Sequence, residues 1–247
     1  MESNNFVVGR NPVIELLKSK SEINFILSSC SNIPKEIYEL ATKKHILIKK
    51  CDSKKLNKMF KNINHQGIVA QISPRNYCTV DDILNISRKR KEKYFILILD
   101  KIQDPHNFGA IIRTSECMGV HGIIIPKRRS VSISPTVSKC SCGALEYVNI
   151  ARVDNIAKEI DKLKKNGVWI IGTDSYAKSL YEVENMFSES IAIVIGSEEN
   201  GISEIVKKKC DEIVSIPMVG KINSLNASVA SSMILLKVLE HRKGLKI

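Results

Sequence analysis

Three polar, glycine-punctuated stretches hold the residues best suited to chemistry: LDKIQDPHNFGAIIRTSECMGVHGIII at 99–125, IVIGSEENGIS at 193–203 and IPMVGKINSLNASVA at 216–230. Among the residues they carry are the cation Arg113, the acids Glu198 and Glu199, the amides Asn107 and Asn226 and the hydroxyl of Ser224. Such a set binds and orients. Nothing in it suggests a covalent route, because no Ser-His-Asp arrangement accompanies it. The one close cysteine pair, Cys140 and Cys142, lacks a second Cys or His pair at zinc spacing, so reduced thiols and no metal are expected. Histidine as a residue type titrates near neutrality, which invites a general-base reading of His106 and His121, but His121 sits in a Gly-Val-His-Gly turn where a solvated histidine is ordinary, and neither is assigned as a base.

Nucleotide signatures are absent. None of the 12 glycines lies two residues from another, which excludes the dinucleotide fingerprint. The run GSEENGIS at 196–203 has the glycine spacing of a phosphate-binding loop, but Ile202 stands where the lysine is required. Glu198 and Glu199 would also repel the phosphates that such a loop cradles.

Elements able to position these residues follow from apolar runs. Strands are predicted at 94–100, 122–126, 147–151, 167–173, 191–197 and 212–217, with helices between most of them and a last helix from about Ala227 to Arg242. Strands this apolar are buried on both faces, which predicts a mostly parallel sheet between helices. Ligands of such sheets bind beyond the carboxyl ends of the strands, where the three stretches fall. Asp104-Pro105 reads as a helix cap followed by a first-turn proline. Asn107 and Arg113 are six apart and do not share a helical face, so a loop-to-helix transition near Gly109 is expected to bring them together.

Upstream, short apolar runs (INFILSS, HILIKK, GIVAQIS) alternate with helical stretches, the pattern of a small α/β domain at 1–75. The segment 76–93 ends in five basic residues among six and is expected to be a linker to a second domain at 94–247. The 247-residue chain has a net charge of +12. There are 18 Lys and Arg against nine Asp and Glu up to Lys93, but 20 against 17 beyond it. A basic first part beside a nearly neutral second part suggests that a polyanion, nucleic acid above all, is held by the first. The longest apolar segments are far too short to span a bilayer, so a cytoplasmic protein with no membrane partner is expected.

In order and spacing, the three stretches resemble motifs one, two and three of the SpoU/TrmH family of RNA ribose 2′-O-methyltransferases, within the SPOUT class. Further similarity lies in PKRRSVSISPTVSKCSCGALEYV, and FVVGRNPVIELL and HQGIVA resemble the small RNA-binding domain of its ribosomal-RNA branch. The resemblance implies an α/β fold whose C-terminal SPOUT domain, with a mostly parallel sheet and a trefoil knot, follows a small RNA-binding α/β domain. It implies S-adenosyl-L-methionine as cofactor, a homodimer, and as substrate RNA, most simply a guanosine of large-subunit ribosomal RNA. Transfer RNA as substrate, and a non-enzymatic RNA-binding protein, are the alternatives.

Carried over residue by residue, the resemblance makes Arg113 the essential arginine and Asn107 the residue that helps orient it. Glu198 becomes the acid expected to pair with Arg113, within one chain or across a dimer interface, and Glu199 stands where the family usually has glycine. Ser224 and Asn226 are polar contacts to substrate or cofactor, with capping of the helix near Ala227 as a compatible second role. Thr173, Gly196 and Gly201 are expected to line and turn around the cofactor, and Ile216, Met218 and Leu225 to wall its adenine. Met233, Leu235, Leu236 and Leu239 of the last helix suit either a dimer interface or internal burial.

Overall fold

The computed structural model describes residues 5–19, 21–61, 63–73 and 77–244. The expected boundary at 75 and 76 lies outside the described residues. Two compact units are formed, residues 1–76 with 132–147 and residues 77–131 with 148–247.

In the first unit the chain runs β1 (Phe6–Val8), α1 (Arg10–Lys18), β2 (Ile23–Ser28), α2 (Lys35–Lys43), β3 (Ile48–Lys50), α3 (Ser53–Met59) and β4 (Ile68–Ile72). The sheet order is β1-β4-β2-β3, with β4 antiparallel to both neighbours and β3 parallel to β2. Side chains alternate across a strand, and the alternation sorts the core into two. Val7, Ile26, Ile68 and Ala70 pack with Leu16, Leu17 and Ile37 of α1 and α2, while Phe6, Val8 and Val69 pack with Leu56 and Phe60 of the α3 region.

The second unit begins with α4 (Val80–Arg90), where a linker was expected. Thr79 and Asp82 form a reciprocal capping box at its start, and Val80, Ile83 and Leu84 are buried against Ile96, Ile98 and Ile124 of the sheet. Burying two such aliphatic side chains contributes roughly 3–6 kcal/mol, which holds the segment on the sheet. A Cβ at Gly122 would lie 2.5 Å from Ile83, so glycine there lets α4 approach.

After α4 come β5 (Phe95–Asp100), α5 (Pro105–Cys117) and β6 (Gly122–Pro126). Residues 132–147, including α6 (Pro135–Cys140), cluster with the first unit, although the similarity in sequence had placed them in the second domain. Then follow β7 (Ile150–Val153), α7 (Ile156–Lys165), β8 (Trp169–Ser179), a 3-10 helix (Leu180–Ser188), β9 (Ile191–Gly196), α8 (Glu204–Lys207), β10 (Glu212–Ser215) and α9 (Ala227–Lys243). The six strands are all parallel, in the order β10-β8-β9-β5-β6-β7, and β5 and β9 are buried along their whole length. The strand expected at 147–151 starts at Ile150, because Tyr147 closes a short 3-10 turn.

One irregularity shapes the site. Ile213 of β10 pairs with Gly172 of β8, yet the next residue, Val214, pairs with Lys178, so residues 173–177 bulge out of the pairing at the carboxyl end of the sheet.

Among the described residues no helix is long and apolar enough to cross a membrane. Burial pushes the thiols of Cys78 and Cys210 up to about 11 and about 12.

Candidate active site

Beyond the carboxyl ends of β8, β9 and β10 lies a pocket of about 310 Å³. Its walls come from three places: the β8 bulge, the loop after β9, and the segment between β10 and α9, with Ala230 and Ile234 of α9 behind them. Thr173, Gly196, Gly201, Ile216, Met218, Ser224, Leu225 and Glu198 all line it.

The loop after β9 is held tightly. Ser197 and Gly201 exchange backbone hydrogen bonds at 3.1 and 2.8 Å, with Gly201 in the left-handed region at φ 59°. A Cβ on Gly196 would stand 2.0 Å from the Gly201 carbonyl carbon, so no side chain fits there. The buried Asp100 at the end of β5 accepts the Ser203 N–H at 2.7 Å and pins the far side of the loop. Thr173 donates its hydroxyl to the Val194 carbonyl at 3.0 Å, which ties β8 to β9 beneath the pocket.

Asp174 and Tyr176, pocket residues that motif reasoning passed over, sit on the bulge. Lys207 beside it, 2.6 Å away, and the Tyr176 N–H hold the Asp174 carboxyl below the usual carboxylate range. The Tyr176 hydroxyl accepts a hydrogen bond from Asn223 Nδ2 at 3.3 Å, linking the bulge to the segment opposite. Position at the carboxyl end of a parallel strand was the signal for both residues.

At the rim, three side chains converge, from the first turn of α5, the loop after β9 and the N-cap of α9. Glu198 Oε1 accepts from Asn107 Nδ2 at 2.9 Å, from Asn226 Nδ2 at 2.5 Å and from the Ala227 N–H at 3.1 Å. Asn226 Nδ2 also donates to Asn107 Oδ1 at 2.9 Å. The other end of the Asn226 amide caps α9, accepting from the Ser228 and Val229 N–H groups, so the capping and site roles coexist. Asp104 caps α5 by accepting the Asn107 N–H at 2.7 Å.

The helix is continuous from Pro105, so the expected transition at Gly109 is corrected: Gly109 is buried in the body of α5. Asn107 is therefore in the first turn, and Arg113, exposed, lies about 9 Å further along the axis and roughly 120° around it. The structure joins Asn107, Glu198 and Asn226, with Arg113 on the same helix as Asn107.

His121 is not solvated, contrary to the expectation for its turn. It is 3% exposed; its Nδ1 accepts the Phe95 N–H at 3.0 Å and its Nε2 bonds Glu92 at 2.8 Å. Burial lowers its affinity for a proton below that of a free histidine, against the opposing pull of Glu92. It is a structural histidine on the far side of β5 from Asp100.

Residues 94–236 match the SpoU rRNA Methylase family, and residues 6–78 match the RNA 2′-O ribose methyltransferase substrate binding family. The chain belongs to the SpoU rRNA methylase family. This SpoU methylase is 41% identical over 246 residues to YacO of Bacillus subtilis (strain 168), which is assigned to the TrmH family of tRNA/rRNA methyltransferases, covering 98% of this chain and 97% of that protein. Among solved structures, the SpoU methyltransferase AviRb from Streptomyces viridochromogenes, in complex with the cofactor AdoMet, superposes with a TM-score of 0.81 at 22% identity, covering 97% of this chain and 90% of that one. The AdoMet-bound rRNA methyltransferase from Sinorhizobium meliloti gives a TM-score of 0.79 at 21% identity over 98% and 88% of the two chains. The two family matches together span most of the chain, and the enzyme is an RNA 2′-O-ribose methyltransferase.

Proposed function

We propose that this SpoU methylase transfers the methyl group of S-adenosyl-L-methionine to a ribose 2′-hydroxyl of ribosomal RNA, a guanosine of the large subunit. The observation that carries the reading is the pocket after β8, β9 and β10 with the Asn107-Glu198-Asn226 cluster at its rim. Among the described residues the pocket lining includes Asp174, Glu198 and Glu199 and no lysine or arginine. That charge suits a cationic sulfonium and repels a nucleoside triphosphate. Ile216, Met218 and Leu225 offer apolar walls for a purine, and the Gly196 and Gly201 turn offers backbone groups to the adenosine.

When bound, the cofactor supplies a methyl carbon activated by its sulfonium, open to in-line displacement. The chain's own residues then have three tasks. The pocket fixes the donor, and the rim cluster fixes α5 against the loop after β9, which sets where Arg113 stands. The Arg113 guanidinium holds the target phosphate or stabilises the negative charge that develops on the ribose oxygen. Ser224, which lines the pocket, contacts substrate or cofactor in this reading.

The likeness of FVVGRNPVIELL and HQGIVA to the ribosomal-RNA branch supports that substrate over transfer RNA. A homodimer is part of the reading. Val229, Met233 and Leu236 form an exposed apolar stripe on α9, 46%, 46% and 38% accessible, while Leu235 is buried. A second copy covering that stripe is the occupant that fits, and light scattering of the purified chain tests it.

The deciding experiment is transfer of label from tritiated S-adenosylmethionine to RNA from a strain lacking the gene, followed by sizing of the RNA and mapping of the methylated ribose. Label in a large-subunit guanosine supports the proposal. Label confined to transfer RNA replaces the substrate, and no label in any RNA overturns the activity.

A further inference from the structure

The positive charge of the first unit is concentrated in a short stretch. Residues 43–61 hold eight lysines and a single acid, Asp52, whereas residues 1–42 hold four basic residues and five acids. The structure gives this asymmetry a location. The stretch comprises the end of α2, strand β3 and helix α3, and β3 is the edge strand of the sheet.

The two groups of lysines differ in their partners. Lys18 bridges to Glu15 and Glu36, and Lys35 to Glu39, so the α1 and α2 side is largely self-neutralised. Lys50, Lys54, Lys55, Lys58 and Lys61 are exposed and make no ion pair among the described residues. Lys49 lies 4.2 Å over the Phe25 ring, and Asp52 is engaged as the N-cap of α3, accepting the Lys54 N–H. Lys54 and Lys58 are also one turn apart on α3, an arrangement of like charges that disfavours the helix unless an anion lies between them.

We infer that the β3 edge and the exposed side of α3 form the face of the first unit that grips the phosphate backbone of the substrate RNA, with Lys54, Lys55 and Lys58 and, on the α3 side of β3, Lys49 as its central contacts. The inference rests on the RNA methyltransferase reading and adds to it a surface. Contacts of this kind position without reading sequence, so the face sets affinity and leaves the choice of nucleotide to the catalytic unit. The competing explanation is that lysines on an edge strand only deter pairing with other chains.

The test uses the full chain with Lys49, Lys54, Lys55 and Lys58 changed together to Gln, beside a control with Lys18→Gln and Lys35→Gln. Binding of protein-free ribosomal RNA from a strain lacking the gene is followed by filter retention from 0.05 to 0.3 M salt. Removal of four phosphate contacts should lower the slope of log affinity against log salt by about 3 and weaken binding at least tenfold at 0.1 M. The control should bind as wild type, and both proteins should bind S-adenosylmethionine normally. The substituted side chains are exposed, and circular dichroism verifies the fold. Lys55→Glu, a single change, should give a smaller loss in the same direction. Unchanged affinity and slope in the fourfold variant, with wild type still methylating RNA, overturns the lysine face and leaves the methyltransferase reading standing. Loss of binding in the variant beside a wild type that binds but never methylates supports the face and overturns that reading instead.

Discussion

Asn226 donates from Nδ2 to Asn107 Oδ1 at 2.9 Å while its own Oδ1 accepts the Ser228 N–H at 2.9 Å. One amide thus caps α9 and reaches the first turn of α5, and its Nδ2 is shared with Glu198. The cap needs an oxygen and the bridge needs an N–H, so the two tasks can be separated by substitution.

Asn226→Ser keeps a good capping oxygen and removes the amide donor. Loss of the hydrogen bonds to Glu198 and Asn107 should cost about 1–3 kcal/mol of stability. Methyl transfer should fall at least tenfold with α9 intact by circular dichroism. Wild-type turnover in this variant would show that the bridge has no catalytic value.

Gly196→Ala should abolish cofactor binding, because its Cβ has nowhere to go against the Gly201 backbone. Glu199→Gln should bind S-adenosylmethionine with little change. Titration calorimetry on folded samples checks both, and the reverse ranking would move the pocket elsewhere.

Arg113→Ala should lose methyl transfer by a factor of at least 100 and keep its cofactor affinity, since the guanidinium is assigned to the acceptor. Arg113→Lys should be nearly as defective, because a point charge lacks the planar fork of donors. Single-turnover rates and calorimetry separate the two effects.

Stability should fall on acidification in two windows. His121 has a folded pKa below the usual histidine value of about 6.5, so the fold favours its neutral form. Its contribution is complete above about pH 6.5 and is lost as the pH falls through the folded pKa. Glu92, held down by its hydrogen bond to His121, contributes above the usual glutamate range and loses that contribution at lower pH still. His121→Asn keeps an acceptor for the Phe95 N–H and cannot titrate. Thermal melts from pH 7.5 to 5.5 should therefore show a flatter profile for the variant, and parallel profiles would contradict the assignment.

Much of the second unit was legible because buried parallel strands write themselves as apolar runs: FILIL and IAIVI need no partner to be recognised. The segment before them was misread for a physical reason. Its basic run from Arg88 dominates the composition, while the capping box of Thr79 and Asp82 and the buried pair Ile83 and Leu84 occupy few positions. The motif residues were legible by type and order, and all six residues expected around the cofactor line one pocket. Their mutual contacts were not, because Asn107 meets Glu198 across 91 residues and Asn226 across 119, distances over which spacing carries no geometric information. His121 was misjudged because a turn motif says nothing about what the next strand covers.

The bulge at 173–177 leaves the pairing of β8 with β10 regular on both sides. A change in its length would be absorbed where the chain already leaves the ladder, so neither flanking register would shift. The depth and polarity of the pocket mouth are thereby decoupled from the integrity of the sheet, and related chains are free to gain or lose residues at this point without refolding their core.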